Sequence, residues 1–271
     1  MVWKDVEKIR AAAPLIHNIT NYVVMNTTAN ALLALGASPV MAHAEGEVEE
    51  MVGYAGALVL NIGTLSPPWI EAMLLAGKAA RKRGIPVVLD PVGAGATKLR
   101  TRAVQRILGE VGPTIVRGNA SEIRALMLTE HGTKGVDSTH GSEQALEIGR
   151  AVSRQHGCVV SISGATDVIV SGDQVIRVHN GHPMMPKVTG LGCTASAITG
   201  AFAAVNPDPL RAAAHAMALM GIAGELAGAR SPGPGSFQMN FLDALYQVGE
   251  AEVTRLLRME PEAASPTTST T

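Results

Sequence analysis

Short apolar runs alternate along the chain with longer segments in which apolar residues recur every three or four positions. The runs are nearly continuous, which is typical of strands buried on both faces; they cover residues 38–41, 57–61, 85–90, 114–117 and 158–163. Amphipathic segments with helical spacing lie between them, for example residues 68–83 and 101–111. This alternation predicts an α/β fold with a mostly parallel central sheet and helices on both faces, in three layers.

The alternation changes after residue 158. The runs CVVSIS, DVIVSG and QVIRVH follow one another with only short turns between them, which predicts an antiparallel addition to the sheet. From Cys193 to about Val248 the pattern predicts helices interrupted at residues 206–209 and 231–235. Because the sequence contains no recognisable linker or internal repeat, we expect residues 1–258 to form one domain. Residues 259–271, rich in Pro, Ser and Thr, are expected to be a disordered tail.

Near the start of the chain, apolar residues at helical spacing end at Gly36, a residue typical of a helix C-terminus. The run that follows predicts a strand that delivers Met41 to its ligand-facing end. Asn21 lies at the front of the same helix in this interpretation. A methionine side chain is adaptable and suits a flat heterocycle, although it is more often part of a core.

Composition narrows the class of protein. The 271 residues carry a formal net charge of -1, and the pI is near 6.7, which argues against nucleic acid or an anionic membrane as the main partner. There are 2 cysteines, and no apolar segment of signal-peptide length follows the first charged residues. We therefore expect a reduced, cytoplasmic protein without a membrane span.

A glycine-rich stretch, VTGLGCTASA, precedes the first of the Ala-rich helical segments. Gly190, Gly192 and Ala195 fit the G-x-G-x-x-A dinucleotide fingerprint, but no βαβ unit surrounds them and no acidic residue lies about 20 positions later. What remains is a glycine loop that opens a helix, whose free amides and dipole attract anions. A tight turn with close helix packing explains the glycines as well. Cys193 would lie in the first turn of this helix.

Polar residues follow the buried runs. Asp90 ends one run ahead of a glycine-rich turn and either binds Mg²⁺ or caps the next helix. Arg117 has a planar fork of donors that suits phosphate, and Glu122 lies near the start of a helix that Asn119 is predicted to cap. Ser163 lies in a Gly-containing hairpin turn, and the turn alone accounts for its neighbours.

Taken together, three stretches resemble a known family. Residues 182–194, HPMMPKVTGLGCT, resemble the anion-loop signature of the ribokinase-like superfamily, where most members have aspartate at the position of Cys193. Cysteine there, together with HNITN at 17–21 and NALLALGASPVMA at 30–42, is similar to the hydroxyethylthiazole kinase family along nearly all of residues 14–248.

The resemblance implies a ribokinase-like kinase that uses Mg²⁺ and ATP to phosphorylate the hydroxyl of 4-methyl-5-(2-hydroxyethyl)thiazole in thiamine biosynthesis or salvage. It implies a homotrimer with shared active sites, in which Asn21 reaches into a neighbouring subunit's site. The implied roles are catalysis by Cys193, substrate binding by Met41, Gly190 and Asn21, ATP binding by Arg117, Ser163 and Gly192, and metal binding by Asp90 and Glu122.

Two questions stay open at this stage. Cys193 is a base only if the helix N-terminus lowers its pKa, and otherwise it positions the alcohol. Two other functions also compete: a kinase for another hydroxylated heterocycle such as a hydroxymethylpyrimidine, which predicts aspartate at position 193, and a nucleotide-binding regulator without turnover.

Overall fold

A computed structural model of the chain describes residues 1–127 and 141–261. The helices are α1 (Val2–Ala12), α2 (Met25–Leu35), α3 (Val48–Tyr54), α4 (Pro67–Arg83), α5 (Lys98–Glu110), α6 (Ala120–Ala125), α7 (Gly141–His156), α8 (Leu191–Val205), α9 (Pro209–Gly228), α10 (Pro234–Gln247) and α11 (Glu250–Leu256), with a 3₁₀ helix at Met185–Lys187. The strands are β1 (Leu15–Ile19), β2 (Ser38–Val40), β3 (Ala57–Asn61), β4 (Val87–Asp90), β5 (Ile115–Asn119), β6 (Val159–Ser163), β7 (Asp167–Ser171), β8 (Gln174–Val178) and β9 (Met259–Pro261).

The described strands form one nine-stranded sheet in the order β2-β1-β3-β4-β5-β6-β7-β8-β9. Pairing is parallel from β2 to β6 and antiparallel from β6 to β9. The mostly parallel sheet and its antiparallel addition are therefore confirmed.

Helices cover both faces of the sheet, which confirms the three layers. On one face α8, α9 and α10 bury Phe202, Met217 and Phe237 in a single apolar cluster with strand residues. On the other face α4 and α5 bury Met73 and Ile107 in a second cluster. Because helices cover both faces of the sheet, the side chains on both sides of each central strand are buried, and these strands appear in the sequence as continuous apolar runs.

The Ala-rich helices α8 and α9 pack into this core. Small side chains let α8 lie close to the strands below it, and most of the residues of both helices are buried. In the part of the chain that the structure describes, no helix combines the length and the apolar character needed to cross a membrane.

Two elements near the N-terminus are missing from the sequence prediction. Helix α1 and strand β1 precede the helix that ends at Gly36, and that helix begins only at Met25. Asn21 therefore does not lie at the front of a helix but directly beyond β1, at the carboxyl edge of the sheet. β1 is short and contains His17 and Asn18, both buried, so its polar residues hide the strand pattern.

The predicted boundary at residue 258 is also too early. Met259–Pro261, placed in a disordered tail by the sequence, forms β9 and pairs with β8 through Arg177↔Glu260 and Val178↔Met259. Backbone pairing at the open sheet edge, which composition does not reveal, orders these residues. Residues 262–271 of the predicted tail lie outside the described residues.

Parallel pairing brings several strand ends to one edge. Asn61 lies opposite Asp90 in the β3–β4 pair, and Asn119 lies opposite Ser163 in the β5–β6 pair. Ligands of open α/β sheets bind beyond the carboxyl ends of the strands, so this edge is where a site is expected.

The close packing of α8 on the sheet predicts opposite effects for two glycine substitutions. A Cβ added at Gly200 would lie 2.7 Å from Val59 Cγ2, whereas one added at Gly109 of α5 meets nothing within 4 Å. We expect Gly200→Ala to lower the free energy of unfolding by about 1–3 kcal/mol through overpacking. Gly109→Ala should raise it by up to about 1 kcal/mol through helix propensity. Urea unfolding of both variants checks this; equal effects would contradict the packing.

Candidate active site

The first turn of α8 is built around Gly190. This residue has φ 85° and serves as the N-cap, and a Cβ there would lie 2.7 Å from Val24 Cγ1, so both conformation and space favour glycine. The first intrahelical bond runs from the Thr194 amide to the Gly190 carbonyl at 2.8 Å. The amides of residues 191–193 precede this bond and have no intrahelical partner. The predicted glycine loop that opens a helix is therefore present, and anion binding to its amides stays a prediction.

A cavity of about 930 Å³ lies beside this helix start. It brings together four residues to which the resemblance assigns a binding role, namely Arg117, Ser163, Gly190 and Gly192. Much of the remaining lining is apolar or belongs to the segment after β8: His179, Asn180, Gly181, His182, Pro183, Met185, Pro186, Val188, Met217 and Met220. The cavity thus has a polar, cationic end at the sheet and an apolar far side.

Arg117 supplies the positive charge. It belongs to β5 and is only 8% exposed. Its NH1 donates to the Gly192 carbonyl at 2.9 Å, while its Nε is buried with no partner among the described residues. A Cβ at Gly192 would lie 3.1 Å from the same NH1. A buried guanidinium with an unused donor, held beneath a glycine loop, is a suitable partner for phosphate.

Asp90 is the buried carboxylate of the site. Its Oδ2 accepts hydrogen bonds from Asn61 Nδ2 at 2.7 Å and from Ser196 Oγ at 2.8 Å. Burial raises the pKa of Asp90 from 3.8 to about 6, against the opposing effect of the Arg117 charge. Thr97, rather than Asp90, caps α5, so the interpretation of Asp90 as a helix cap is wrong.

A chain of hydrogen bonds connects Asp90 to Cys193. Asn61 donates to Asp90, Asn21 Nδ2 donates to Asn61 Oδ1 at 2.9 Å, and the same amide nitrogen donates to Cys193 Sγ at 3.4 Å. Asn61 and Ser196 were not predicted from the sequence. The available signals were an asparagine that ends a buried apolar strand and a hydroxyl in the second turn of the glycine-loop helix.

The thiol of Cys193 is held in its neutral form. Burial and the nearby negative charge of Asp90 raise the pKa of Cys193 from 9.0 to about 11, against the opposing effects of Asn61, Asn21 and Arg117. The sequence analysis made a base role conditional on a lowered pKa, and this condition is not met. At neutral pH the group is a thiol that accepts a hydrogen bond from Asn21.

Asn21 is buried and contacts Asn61 and Cys193 of its own chain. Its position directly beyond β1, which pairs with β3, places it beside Asn61. The expectation that it also reaches into a neighbouring subunit's site stays a prediction.

Met41 follows β2, the strand next to β1, and is half-buried at the same edge of the sheet but outside the lining of the 930 Å³ cavity. An aromatic group that sequence reasoning missed lies near this edge. The ring of Trp69 has its centroid 4.8 Å from that of Tyr22 and 4.7 Å from that of His43.

Glu122 forms the predicted cap with Asn119. Its Oε2 accepts from the Asn119 amide at 2.8 Å, Asn119 Oδ1 accepts from the Glu122 amide at 2.9 Å, and Glu122 Oε1 accepts from the Gly93 amide at 3.0 Å. Its negative charge raises the pKa of Asp90. The carboxylate therefore ties the glycine turn after β4 to the start of α6.

The donor set fits Mg²⁺ only as a partly hydrated ion. Within residues 1–127 and 141–261, no group of three or more His, Cys, Asp or Glu side chains could hold a metal alone. Asp90 and Glu122 offer hard oxygen ligands, and both described contacts of Asp90 use Oδ2. Mg²⁺ commonly binds one or two carboxylates and completes its shell with water and substrate phosphates.

Ser163 lines the cavity from the carboxyl end of β6. Its Oγ donates to the Gly118 carbonyl at 3.4 Å, and Asp167 Oδ1 accepts from the Gly164 amide at 3.0 Å. The hairpin turn predicted from Gly164 and Asp167 is therefore present. Burial raises the pKa of Asp167 to about 6.

Comparisons with known proteins show which family the chain resembles. The model of the hydroxyethylthiazole kinase family matches residues 6–251. A hydroxyethylthiazole kinase of Syntrophus aciditrophicus is 61% identical over 258 residues, which cover 95% of this chain and 96% of that protein.

Solved structures give the same answer. A hydroxyethylthiazole kinase protein from Pyrococcus horikoshii OT3 superposes with a TM-score of 0.90 and 44% identity, covering 96% of this chain and 98% of that one. The pyridoxal kinase of Staphylococcus aureus, at 19% identity and a TM-score of 0.59 over 78% of this chain and 87% of that one, shares the ribokinase-like fold. With the family model spanning most of the chain and close relatives over almost all of it, this protein belongs to the hydroxyethylthiazole kinase family.

Proposed function

We propose that the protein transfers the γ-phosphoryl group of ATP to the hydroxyl of 4-methyl-5-(2-hydroxyethyl)thiazole, a step in thiamine biosynthesis or salvage. The observation that carries this is the hydrogen-bonded chain from Asp90 through Asn61 and Asn21 to Cys193, which ends where the amides of α8 begin. Curated relatives with 61% and 58% identity are named hydroxyethylthiazole kinases.

ATP binding is assigned to the 930 Å³ cavity. Its apolar side accommodates the base, and its cationic end receives the phosphates. Arg117, Ser163 and Gly192 contact the nucleotide in this proposal, because a guanidinium, a hydroxyl and helix-start amides are all donors that suit phosphate oxygens.

The γ-phosphoryl group is stabilised by the free amides at residues 191–193 and by the charge of Arg117. In phosphoryl transfer, positioning and charge stabilisation provide most of the catalysis. Asp90 and Glu122 would hold Mg²⁺, which neutralises negative charge that develops on the phosphate oxygens. A bound cation also favours the ionised form of Asp90.

The alcohol is assigned to the other end of the same edge, bounded by Met41 and Gly190 and contacted by Asn21 and Cys193. Because the Cys193 thiol is neutral at pH 7, it acts by position: it fixes the hydroxyl in line with the phosphoryl group. A loose transition state requires little help from a base, since the hydroxyl proton leaves late.

We further infer a homotrimer with shared sites and a cytoplasmic location. Tyr22 and Val23, each 66% exposed, present apolar surface directly after Asn21, and exposed apolar groups of this kind mark contact surfaces. Asn21 contacts residues of its own chain, and the surface beside it is assigned to the interface. Free cysteines at positions 158 and 193 suit a reducing compartment.

Substrate identity is tested by ADP release. With Mg-ATP, we expect the thiazole alcohol to yield one ADP and one phosphate ester per molecule, and a hydroxymethylpyrimidine to yield much less. A coupled assay with both alcohols and with no acceptor measures this. Equal turnover of the two alcohols would refute the thiazole assignment, and ATP binding without ADP release would indicate the nucleotide-binding regulator.

The role of Cys193 is tested by two substitutions. If the thiol acts by position, Cys193→Ser should reduce kcat by less than about 100-fold, the lower bound typical of losing a general base. Cys193→Asp should retain substantial activity, because Arg117 and the α8 amides offset the added charge and an ionised carboxylate accepts the proton. Steady-state kinetics with the thiazole alcohol measure both; a folded, ATP-binding but inactive Cys193→Asp variant would overturn this mechanism.

The substitution Asp90→Asn tests whether the Asp90 carboxylate serves activity or only stability. The pKa of Asp90 in the folded protein is about 6, above the ordinary value of 3.8. The protonated acid therefore stabilises the folded protein at low pH, and this contribution is lost as the pH rises through 6. We expect the variant to be at least as stable as the wild type at pH 8, with the gap narrowing toward pH 5.

Its activity should nevertheless fall by about 100-fold or more, the order found for losing a group that stabilises transition-state charge. Thermal unfolding at both pH values and kinetics at pH 8 measure the two effects. Asp173→Asn, on the exposed β7–β8 turn, is the matched control and should change neither. Loss of stability at pH 8 together with full activity would make Asp90 a structural residue.

A further inference from the structure

One wall of the nucleotide cavity is an irregular segment of chain. Residues 179–183, here called the wall loop, connect β8 to the 3₁₀ helix, and all five line the cavity. Irregular backbone has no ladder of its own to fix its position. Its shape therefore depends on contacts with the elements around it.

Glu225 of α9 is a centre of these contacts. A single oxygen, Oε1, accepts from the Gly181 amide at 2.9 Å, from Asn180 Nδ2 at 3.0 Å and from Arg258 NH2 at 2.6 Å. Two of the three donors belong to the wall loop. The Glu225 side chain is 16% exposed, so these bonds are partly protected from water. Hydrogen bonds to a charged acceptor are stronger than neutral ones.

Arg258, just before β9, holds the same loop from the other side. Its backbone amide donates to Asn180 Oδ1 at 2.8 Å, its NH2 donates to the His179 carbonyl at 3.1 Å, and its carbonyl accepts from the His179 amide at 2.9 Å. The C-terminal segment thus extends the β8–β9 pairing into the wall of the cavity.

Three glycines of α9 explain how the loop comes so close to the helix. A Cβ added to Gly221 would lie 2.5 Å from Asn180, and one added to Gly228 would lie 2.4 Å from His182 Cδ2. At Gly224 it would lie 2.6 Å from Met185 Sδ of the 3₁₀ helix. Glu225 lies between Gly224 and Gly228 in the sequence of α9. The helix therefore provides room for the loop through its glycines and a hydrogen-bond acceptor for the loop through Glu225.

We propose that Glu225 and Arg258 are positioning residues for ATP: they fix the wall loop against α9, and the loop in turn shapes the nucleotide cavity. The inference rests on the proposed function, because it takes this cavity as the ATP site. Neither side chain lines the cavity. Glu225 acts through Asn180 and Gly181, whereas Arg258 acts through His179 and Asn180, so the segment that leads into β9 supports the nucleotide site.

The test measures KM for ATP, KM for the thiazole alcohol, kcat and thermal stability in Glu225→Ala, Glu225→Gln, Arg258→Ala and Arg258→Lys. For the two alanine variants we expect KM for ATP to rise about tenfold, the order of one lost charge-assisted hydrogen bond, with kcat and the other KM within about twofold. Glu225→Gln and Arg258→Lys keep an acceptor and a cation and should recover most of the affinity.

Matched controls come from the same end of the chain. Glu250→Gln and Arg255→Ala alter exposed residues of α11 that share residue type with the tested pair, and both should match the wild type. Direct calorimetric titration with ATP, carried out on every variant, separates binding from turnover.

Each result decides the inference. Unchanged ATP affinity in both alanine variants, or equal increases in both KM values that follow a loss of thermal stability, would overturn it. Should Glu225→Ala fail to fold, the comparison of Arg258→Ala with Arg258→Lys decides. A wild type that binds ATP but leaves the thiazole alcohol unphosphorylated would contradict the proposed function alone, and the calorimetric series would still test the positioning role.

Discussion

The site depends on one carboxylate that is buried at the edge of the sheet. Asp90 is 2% exposed, and an ionised group there is costly unless donors surround it. Asn61 and Ser196 provide those donors from β3 and α8. The three segments must therefore meet at one point, and the parallel register that places Asn61 opposite Asp90 makes this possible. Even so, burial keeps the pKa of Asp90 raised, against the opposing effects of these donors and of the Arg117 charge.

The same carboxylate decides the state of Cys193. A helix N-terminus favours a thiolate, but burial and a nearby negative charge favour the thiol, and here the second pair of effects is larger. A cysteine beside Asp90 stays neutral where an aspartate would add a second charge to the same small volume. The choice of cysteine thus reduces repulsion in the free site and gives up the basicity of a carboxylate. In the proposed mechanism, positioning is the chemistry that remains to a neutral thiol.

Much of the fold could be predicted from the sequence, because strands buried on both faces produce apolar runs whatever their neighbours are. β3 was predicted at its observed bounds, and the turn residues around β7 and β8 marked the antiparallel part. β1 was not predicted because His17 and Asn18, although buried, interrupt its apolar pattern. β9 was not predicted because its order comes from pairing with β8. The hydrophobic pattern of a segment indicates its own secondary structure, but it does not indicate which distant segment it pairs with.

The site followed the same division. Gly190, Gly192 and Arg117 carry their chemistry in residue type and position, and the geometry brings them to one cavity. Asn61 and Ser196 matter through the side chains that they contact, Asp90 for both and also Asn21 for Asn61, and the sequence does not display these contacts. Asn21 lies far from Asn61 in the sequence, and only the pairing of β1 with β3 shows that the two side chains are neighbours in the fold. Residues whose role consists of holding another residue are the ones that require the structure.

The parallel and the antiparallel parts of the sheet contribute differently to the site. Parallel strands all deliver their carboxyl ends to one edge, so β3, β4 and β5 supply Asn61, Asp90 and Arg117 within a small volume. Antiparallel strands return the chain across the same edge, and the turns and loops at β6–β9 therefore form walls rather than reactive groups. Walls of irregular backbone require partners, and these come from α9 and from the end of the chain. The parallel part thus fixes Asn61, Asp90 and Arg117, whereas α9 and the segment that leads into β9 fix the wall of the cavity opposite them.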